Sequence, residues 1–220
     1  MLMFDLHCHS LFSDGELLPS ELVRRLEVKG YQAVCITDHA DESNFEFILT
    51  EMKKVIEPIN AYSQTKLLLG IELTHVHPKR IAELTSRARG LGAQIVVCHG
   101  ETIVEPVIPG TNRAAIEAEV DILAHPGFIT LEEATLAREK GVRLEISGRK
   151  GHSLTNGHVL NMARKTQALL AINSDAHAPD DFMTGEQARK VGMGAGLKVD
   201  QIEKIYQENF QWLKGISREL

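Results

Sequence analysis

Aromatic side chains are scarce: Phe, Tyr and Trp together make up 5% of the 220 residues. A surface that stacks single-stranded bases needs several such rings, so that mode of binding is not expected. Positive charge is short as well. Lys and Arg number 24 against 30 Asp and Glu, a net charge of −6. That argues against a broad basic face for nucleic acid. It leaves phosphate substrates open, because bound metal ions can supply the positive charge. Three cysteines are too few and too odd for a disulfide framework and fit a reducing cytoplasm. No apolar run approaches the ~18 residues that cross a bilayer. Residues 1–7 lack a basic segment followed by a long apolar one, so no secretory leader and a cytoplasmic location are expected. No low-complexity stretch, linker or charge block marks a boundary, and residues 1–220 are expected to form a single domain.

What the chain has instead is ten histidines and a repeating order. A short apolar run is followed by a polar turn and then by a helix-like stretch that stops near glycine. The strand candidates are Phe4–His7, Ala33–Thr37, Leu67–Ile71, Gln94–Cys98, Asp121–Ala124, Val142–Ile146 and Leu169–Asn173. They carry Val, Ile and Leu on both faces, as strands buried in a parallel sheet do. Helices are predicted over Ser20–Lys29, Asn44–Ile56, Lys79–Arg89, Leu131–Lys140, His158–Lys165 and Val199–Leu213. Pro19 and Pro78 open two of them, Thr130 with Glu133 forms a capping box, and Gly30, Gly90 and Gly141 close three. Seven such units in 220 residues average about 31 residues, close to the ~30 of a strand–helix–strand unit. An open sheet and a closed barrel are both compatible with that order.

The polar residues decide between them. Nearly every strand candidate ends in a residue type that binds metal: His7 and His9, Asp38 and His39, Glu72, His99, His125, Glu145, and Asp175 with His177. A parallel barrel brings the C-terminal ends of all its strands to one rim, where residues some 170 positions apart meet; an open sheet spreads them along a line. The fold is therefore predicted as α/β, a distorted seven-stranded (βα)7 TIM-like barrel. Period-two geometry puts His7 and His9 on one face and Cys8 on the other. One histidine at a strand end is an ordinary polar residue, and His-x-His alone is weak. The whole set at one rim is a metal centre.

His7-x-His9, Ser13-Asp14-Gly15, Thr37-Asp38-His39, Gly70-Ile71-Glu72, His99, His125-Pro126-Gly127 and Asn173-Ser174-Asp175-Ala176-His177 together resemble the PHP (polymerase and histidinol phosphatase) domain, and within it the compact histidinol-phosphate-phosphatase-like branch. The resemblance runs from Asp5 to about Pro179. It implies two to three divalent ions of Zn, Mn or Fe. His7, His9, Glu72 and Asp175 would hold the first, Glu72 with His99 and His125 the second, and Asp14, His39 and His177 the third. Many relatives have histidine where Asp14 stands; a carboxylate there favours harder ions such as Mn or Fe over Zn. Asp5 and Asp38 are expected to orient ligands rather than to bind.

The activity this implies is hydrolysis of a small phosphomonoester, with histidinol phosphate the suggested substrate, by a metal-bridging hydroxide. Glu72, Asp175, His177 and Arg149 are the expected catalytic residues. Arg149, in the loop Ser147–His152, is the best phosphate ligand, since Arg clamps phosphate bidentately. His152 and His158 are candidates for protonating the leaving group, and Arg113, on a loop after His99, is a weaker phosphate candidate. His75 and His77 lie past the strand end and are expected in a loop or facing substrate. Cys8, Cys35 and Cys98 are expected to pack. Gly192, Gly194 and Gly196 follow no strand, so a phosphate-cradling loop fails its context. The expected partner is a small phosphorylated substrate, with no membrane; the oligomeric state is not legible. A phosphodiesterase or nuclease of the same family is an alternative. So is an amidohydrolase, but Cys98-His99-Gly100 stands where that class typically carries a bridging lysine. A non-catalytic metal or ligand sensor would not need every ligand position filled.

Overall fold

A computed structural model describes residues 2–217 and 220. Strands β1 (Phe4–Asp5), β2 (Ala33–Ile36), β3 (His39–Ala40), β4 (Lys66–Leu73), β5 (Ile95–His99), β6 (Ile122–Ala124), β7 (Arg143–Ser147) and β8 (Leu170–Asn173) are all parallel. Their order around the sheet is β1-β2-β4-β5-β6-β7-β8, with β3 pairing only the upper half of β4. Seven strands therefore follow chain order, as predicted for a barrel. Closure is completed where the chain leaves β8: the Asp175 N–H donates to the His7 carbonyl (2.9 Å) and the His9 N–H to the Ala176 carbonyl (2.8 Å). The seam is the distorted part. β1 is two residues long, shorter than the predicted Phe4–His7, and Asp5 and Asn173 complete it with side chains. Asp5 accepts the backbone N–H groups of His7 (3.2 Å) and Ser174 (3.1 Å), and Asn173 accepts that of Leu6 (3.2 Å).

Among the described residues eight α-helices cover the barrel: α1 (Pro19–Val28), α2 (Phe45–Tyr62), α3 (Pro78–Gly90), α4 (Thr111–Glu117), α5 (Leu131–Lys140), α6 (Asn156–Thr166), α7 (Gly185–Ala195) and α8 (Val199–Ile216). Local chemistry sets their ends. Thr130 Oγ1 accepts the Glu133 N–H, Glu133 accepts the Thr130 N–H, and Gly141 closes α5 in the left-handed conformation. The predicted Asn44–Ile56 helix runs on to Tyr62 through Pro58. Proline costs a helix one hydrogen bond, but Val55, Ile56 and Ile59 continue the apolar stripe against the core and hold the last turns. Two helices were not predicted. Gly185–Ala195 carries three glycines, yet Thr184 and Gln187 form a capping box. A Cβ at Gly192 would come within 2.7 Å of the Ile202 side chain, so this glycine lets α7 pack closely on α8. The Pro109–Arg113 segment, expected as a loop, enters α4 at Thr111.

Both faces of the strands are buried, β2 and β5 along their whole length. Free Cys8, Cys35 and Cys98 are buried packing residues. Among the described residues no helix is long and apolar enough to cross a membrane.

Candidate metal centre

The rim at the C-terminal ends of the strands gathers the predicted residues. Pairing of β3 with β4 sets His39 beside Glu72 in register. The β1 extension carries His7 and His9, β5 ends at His99, and His125 and Asp175 follow β6 and β8. The loop after His9 folds back over that strand, and a Cβ at position 15 would lie 2.3 Å from the His9 carbonyl oxygen, so only glycine allows the approach. Asp38 holds the same loop down: its carboxylate accepts the Ser10 N–H, the Ser10 hydroxyl and the Ser13 hydroxyl, each at 2.7 Å. Asp14 is thereby presented to the histidines. Asp38 and Asp5 thus fill the orienting roles expected of them.

The donor atoms converge. His7 Nε2 lies 3.3 Å from Glu72 Oε1 and 3.7 Å from Asp175 Oδ1; His9 Nε2 lies 3.4 Å from Asp175 Oδ1 and 3.8 Å from Glu72 Oε2. His125 Nε2 is 3.6 Å from Asp175 Oδ2 and 3.8 Å from Glu72 Oε1. A third set follows: His177 Nε2 is 3.2 Å from Asp14 Oδ1 and 3.4 Å from His39 Nε2. With metal–ligand bonds of about 2.1 Å, neighbouring ligand atoms stand about 3.0 Å apart in an octahedron and about 3.4 Å apart in a tetrahedron. The separations of 3.2–3.4 Å on this rim fit the edges of such polyhedra, and those of 3.6–3.8 Å are wider.

The hydrogen bonds behind the rim point the same way. His7 Nδ1–H donates to Glu145 Oε1 (2.8 Å), which also accepts from Asn173 (2.8 Å). In the neutral imidazole that binds metal the one proton sits on Nδ1, so Nε2 would offer its lone pair towards Glu72 and Asp175, the carboxylate–histidine arrangement that orients metal ligands. His39 Nδ1 lies 2.6 Å from Glu72 Oε2 and 2.7 Å from Thr74 Oγ1, which turns its Nε2 to Asp14. His7 Nε2, both nitrogens of His9, Glu72 Oε1, His125 Nδ1 and Asp175 Oδ2 are buried and have no hydrogen-bond partner among the described residues. Buried polar atoms are ordinarily paired; a cation bound here would partner His7 Nε2, one nitrogen of His9 and the Glu72 and Asp175 oxygens.

Burial pushes His9 and His125 well below the ordinary imidazole range, which keeps them in the neutral form that binds metal. It also pushes the Asp175 carboxyl well up. For Glu72 burial works upward but is outweighed by His7 and His39, which hold the carboxyl well below its usual range. For His7 burial works downward and is outweighed by Glu145, Asp175 and Glu72, which raise it. The backbone is strained at the same place. Asp175 (φ 55°) and His125 (φ 27°), with His75 (φ 53°) close by, adopt the left-handed region, at a cost of roughly 1–3 kcal/mol each that tends to persist at functional sites.

The outlying candidates divide. Arg149 reaches the centre: its Nη1 donates to the Asp175 carbonyl (3.2 Å) and lies 2.6 Å from His177 Nδ1. His152 reaches it too, stacked on His125 with ring centroids 4.0 Å apart; burial lowers it to about 4. Arg113 does not. It lies in α4 and is held by Glu117 (2.9 Å) and Glu132 (2.7 Å) on the outer helices. His158 does not either: its Nε2–H donates to the Ile129 carbonyl (2.8 Å) and its ring meets Phe128 edge-on, so it fastens the loop after β6. His77 is the N-cap of α3, accepting the Lys79 N–H at 3.2 Å, a role its position before Pro78 foreshadowed.

Sequence reasoning missed Glu105. It sits in the loop after β5, away from any strand end, with Oε2 3.1 Å from His99 Nε2 and 3.2 Å from His75 Nε2, and Oε1 3.4 Å from His152 Nε2. The hydrogen bond to His99 is the main cause that holds its carboxyl down at about 2. His99 Nε2 thus faces Glu105, while His125 faces Glu72.

The profile of the PHP domain family matches residues 5–99. An uncharacterized protein of Methanocaldococcus jannaschii is 48% identical over 204 residues, which cover 92% of this chain and 94% of that one. A protein of Thermoanaerobacter sp. named "Probable phosphatase" is 28% identical over 224 residues, covering 91% and 89%. The fold is shared more widely: the N6-methyl-AMP deaminase of Arabidopsis thaliana superposes with a TM-score of 0.59 over 94% of this chain and 90% of its own, at 11% identity. With the matched motifs lying on the rim just described, the chain belongs to the PHP domain family.

Proposed function

We propose that this PHP-family phosphoesterase hydrolyses a small phosphomonoester of the histidinol-phosphate kind, with two to three divalent ions held by His7, His9, Asp14, His39, Glu72, His99, His125, Asp175 and His177. The single observation that carries the reading is the set of buried, unpaired imidazole and carboxylate atoms spaced as the edges of coordination polyhedra. The "Probable phosphatase" relative supports the choice of ester. The three free cysteines fit a reducing cytoplasm.

Bound divalent ions would acidify a water to hydroxide near neutral pH and offset charge on the phosphoryl oxygens. The chain's own residues do the rest. Glu72 lies against His7, His9, His39 and His125, so its two oxygens serve more than one ligand set. Glu145 fixes the His7 tautomer. Arg149, beside His177, supplies a guanidinium for the phosphate. His152 is buried beside His125 and against the Thr102 hydroxyl (2.8 Å). Burial lowers it to about 4, so it is neutral near pH 7 and would serve the departing alcohol as a hydrogen-bond partner rather than as a charged acid.

The test is phosphate release from histidinol phosphate, phosphotyrosine, mononucleotides and short oligonucleotides under Mn(II), Zn(II) or Fe(II). Release from a monoester that disappears in Glu72→Gln is expected. No release from any ester by a chain verified to hold metal would overturn the reading.

A further inference from the structure

At the end of the barrel opposite the metal ligands stands a buried cation without a counter-ion. Arg143 opens β7 there and is 8% exposed. Its backbone N–H donates to the Asp121 carbonyl (3.1 Å), but the Asp121 carboxylate is taken by the Val96 N–H (2.7 Å) and by Arg89 (3.1 Å). A guanidinium carries five N–H donors. One, on Nε, donates to Asn209 Oδ1 (2.6 Å). The four on Nη1 and Nη2 have no acceptor among the described residues. Unfilled donors on a buried charged group are costly. Burial brings Arg143 down to about 10 against the pull of Asp121, so the charge persists at neutral pH.

The guanidinium is also held still. Its carbon lies 3.4 Å over the centre of the Trp212 ring. Asn209 keeps its oxygen turned to Arg143, because its Nδ2 donates to the carbonyls of Leu170 (2.8 Å) and Ile205 (2.9 Å). With one face on Trp212 and the Nε edge on Asn209, the edge between the two Nη groups is the one left for a ligand. Arg143 lines a groove of about 270 Å³, with Leu169, Leu170, Ile205 and Glu208 among its other walls. Glu208 makes no ion pair with Arg143 and lies 3.6 Å from Lys204 Nζ instead.

We propose that this groove binds a small carboxylate with a short apolar body. Two coplanar oxygens match the Nη edge, and Leu169, Leu170 and Ile205 give the rest of the molecule an apolar wall. The rigid guanidinium loses little freedom on binding. The site stands at the far end of the barrel from the rim, so it does not rest on the phosphoesterase reading.

The chain has one tryptophan, and it lies under Arg143, so its emission reports on this site. The full chain is titrated with sodium butyrate while sodium chloride holds the ionic strength constant. A saturable change in emission is expected. Arg143→Met, with its fold verified by circular dichroism, should show no saturation. Arg143→Lys keeps the charge without the fork and should weaken binding at least tenfold. Glu208→Gln, at an exposed position that keeps the test open if the Arg143 variants fail to fold, should tighten binding about twofold to fivefold by removing a like charge. Emission that responds to butyrate no more than to chloride would overturn the site. So would saturation that survives in Arg143→Met, or affinity unchanged in Glu208→Gln. Saturation by inorganic phosphate and not by butyrate would overturn the choice of a carboxylate.

Discussion

The two ends of the barrel handle buried polarity in opposite ways. At the N-terminal ends of the strands, Asp121, Arg143 and the Asn209 amide find partners within the protein, although Gln32 Oε1 is left unpaired there among the described residues. Asp121 accepts the Val96 N–H (2.7 Å) and meets Arg89 (3.1 Å). Arg143 Nε donates to Asn209 Oδ1 (2.6 Å), its guanidinium lies 3.4 Å over the Trp212 ring, and Asn209 in turn donates to the Leu170 carbonyl (2.8 Å). At the C-terminal ends, buried imidazoles and carboxylates face one another with atoms left unpaired, on a backbone that is left-handed at His125 and Asp175. One end is built for stability and the other at its expense, the division expected of barrel enzymes.

The largest effect that tests this contrast is at Glu72. Glu72→Gln should reduce phosphate release by at least ~1000-fold, since it strips a ligand from the metal-activated centre. The metal-free variant should fold but melt somewhat lower than the unaltered metal-free chain, because His7 and His39, which hold the Glu72 carboxyl down, lose their counter-charge. A metal-free variant that does not fold at all would erase the contrast.

Arg143→Ala should do the reverse. It removes the stacking on Trp212 and leaves Asn209 Oδ1 without its donor, at a cost of about 2–4 kcal/mol in denaturant unfolding. Zinc stoichiometry and kcat should stay within twofold, so a kinetic defect in a folded variant would show that the two ends are coupled.

Proton linkage sharpens the comparison. The Asp175 carboxyl is held well up by burial, and His7 is raised by its carboxylate neighbours over the opposing effect of burial. Both keep protons at a pH where the free side chains would have lost theirs, and a cation must displace them. Metal affinity is therefore lowest in acid and rises with pH until both are deprotonated, with protons released on binding. Calorimetry in buffers of different ionisation enthalpy reads this directly; equal heats in every buffer would contradict it.

The smallest effect is at a histidine that caps a helix rather than facing the rim. His77→Ala should cost about 0.5–1 kcal/mol in denaturant unfolding through the lost cap of α3 and leave zinc binding unchanged.

The barrel was legible because it rests on periodic features: strand ends recur about every thirty residues, and nearly every one carries a ligand type that parallel topology must bring to one side. The nine-residue ligand set, Asp14 in its loop above all, followed from the resemblance to the PHP domain. Asp5 and Asp38 were legible as orienting residues from parity and adjacency alone. What escaped depends on loop paths. Glu105 lies at no strand end, and only the fold of the loop between β5 and α4 turns it to His99. Arg113 and His158 have the right chemistry near the right strands, but helix α4 and the Ile129 carbonyl take them away. Helix α7 was hidden by glycines whose reason is the packing of Gly192 on Ile202, a tertiary contact with no local signature.

The central claim is that the unpaired atoms of the rim are metal ligands. Anomalous diffraction at the zinc edge from crystals of the zinc-loaded chain tests it most directly. The account predicts peaks among His7, His9, Glu72, Asp175 and His125, and between Asp14, His39 and His177. Zinc found only on surface carboxylates, with the rim closed by hydrogen bonds among its own side chains, would contradict it.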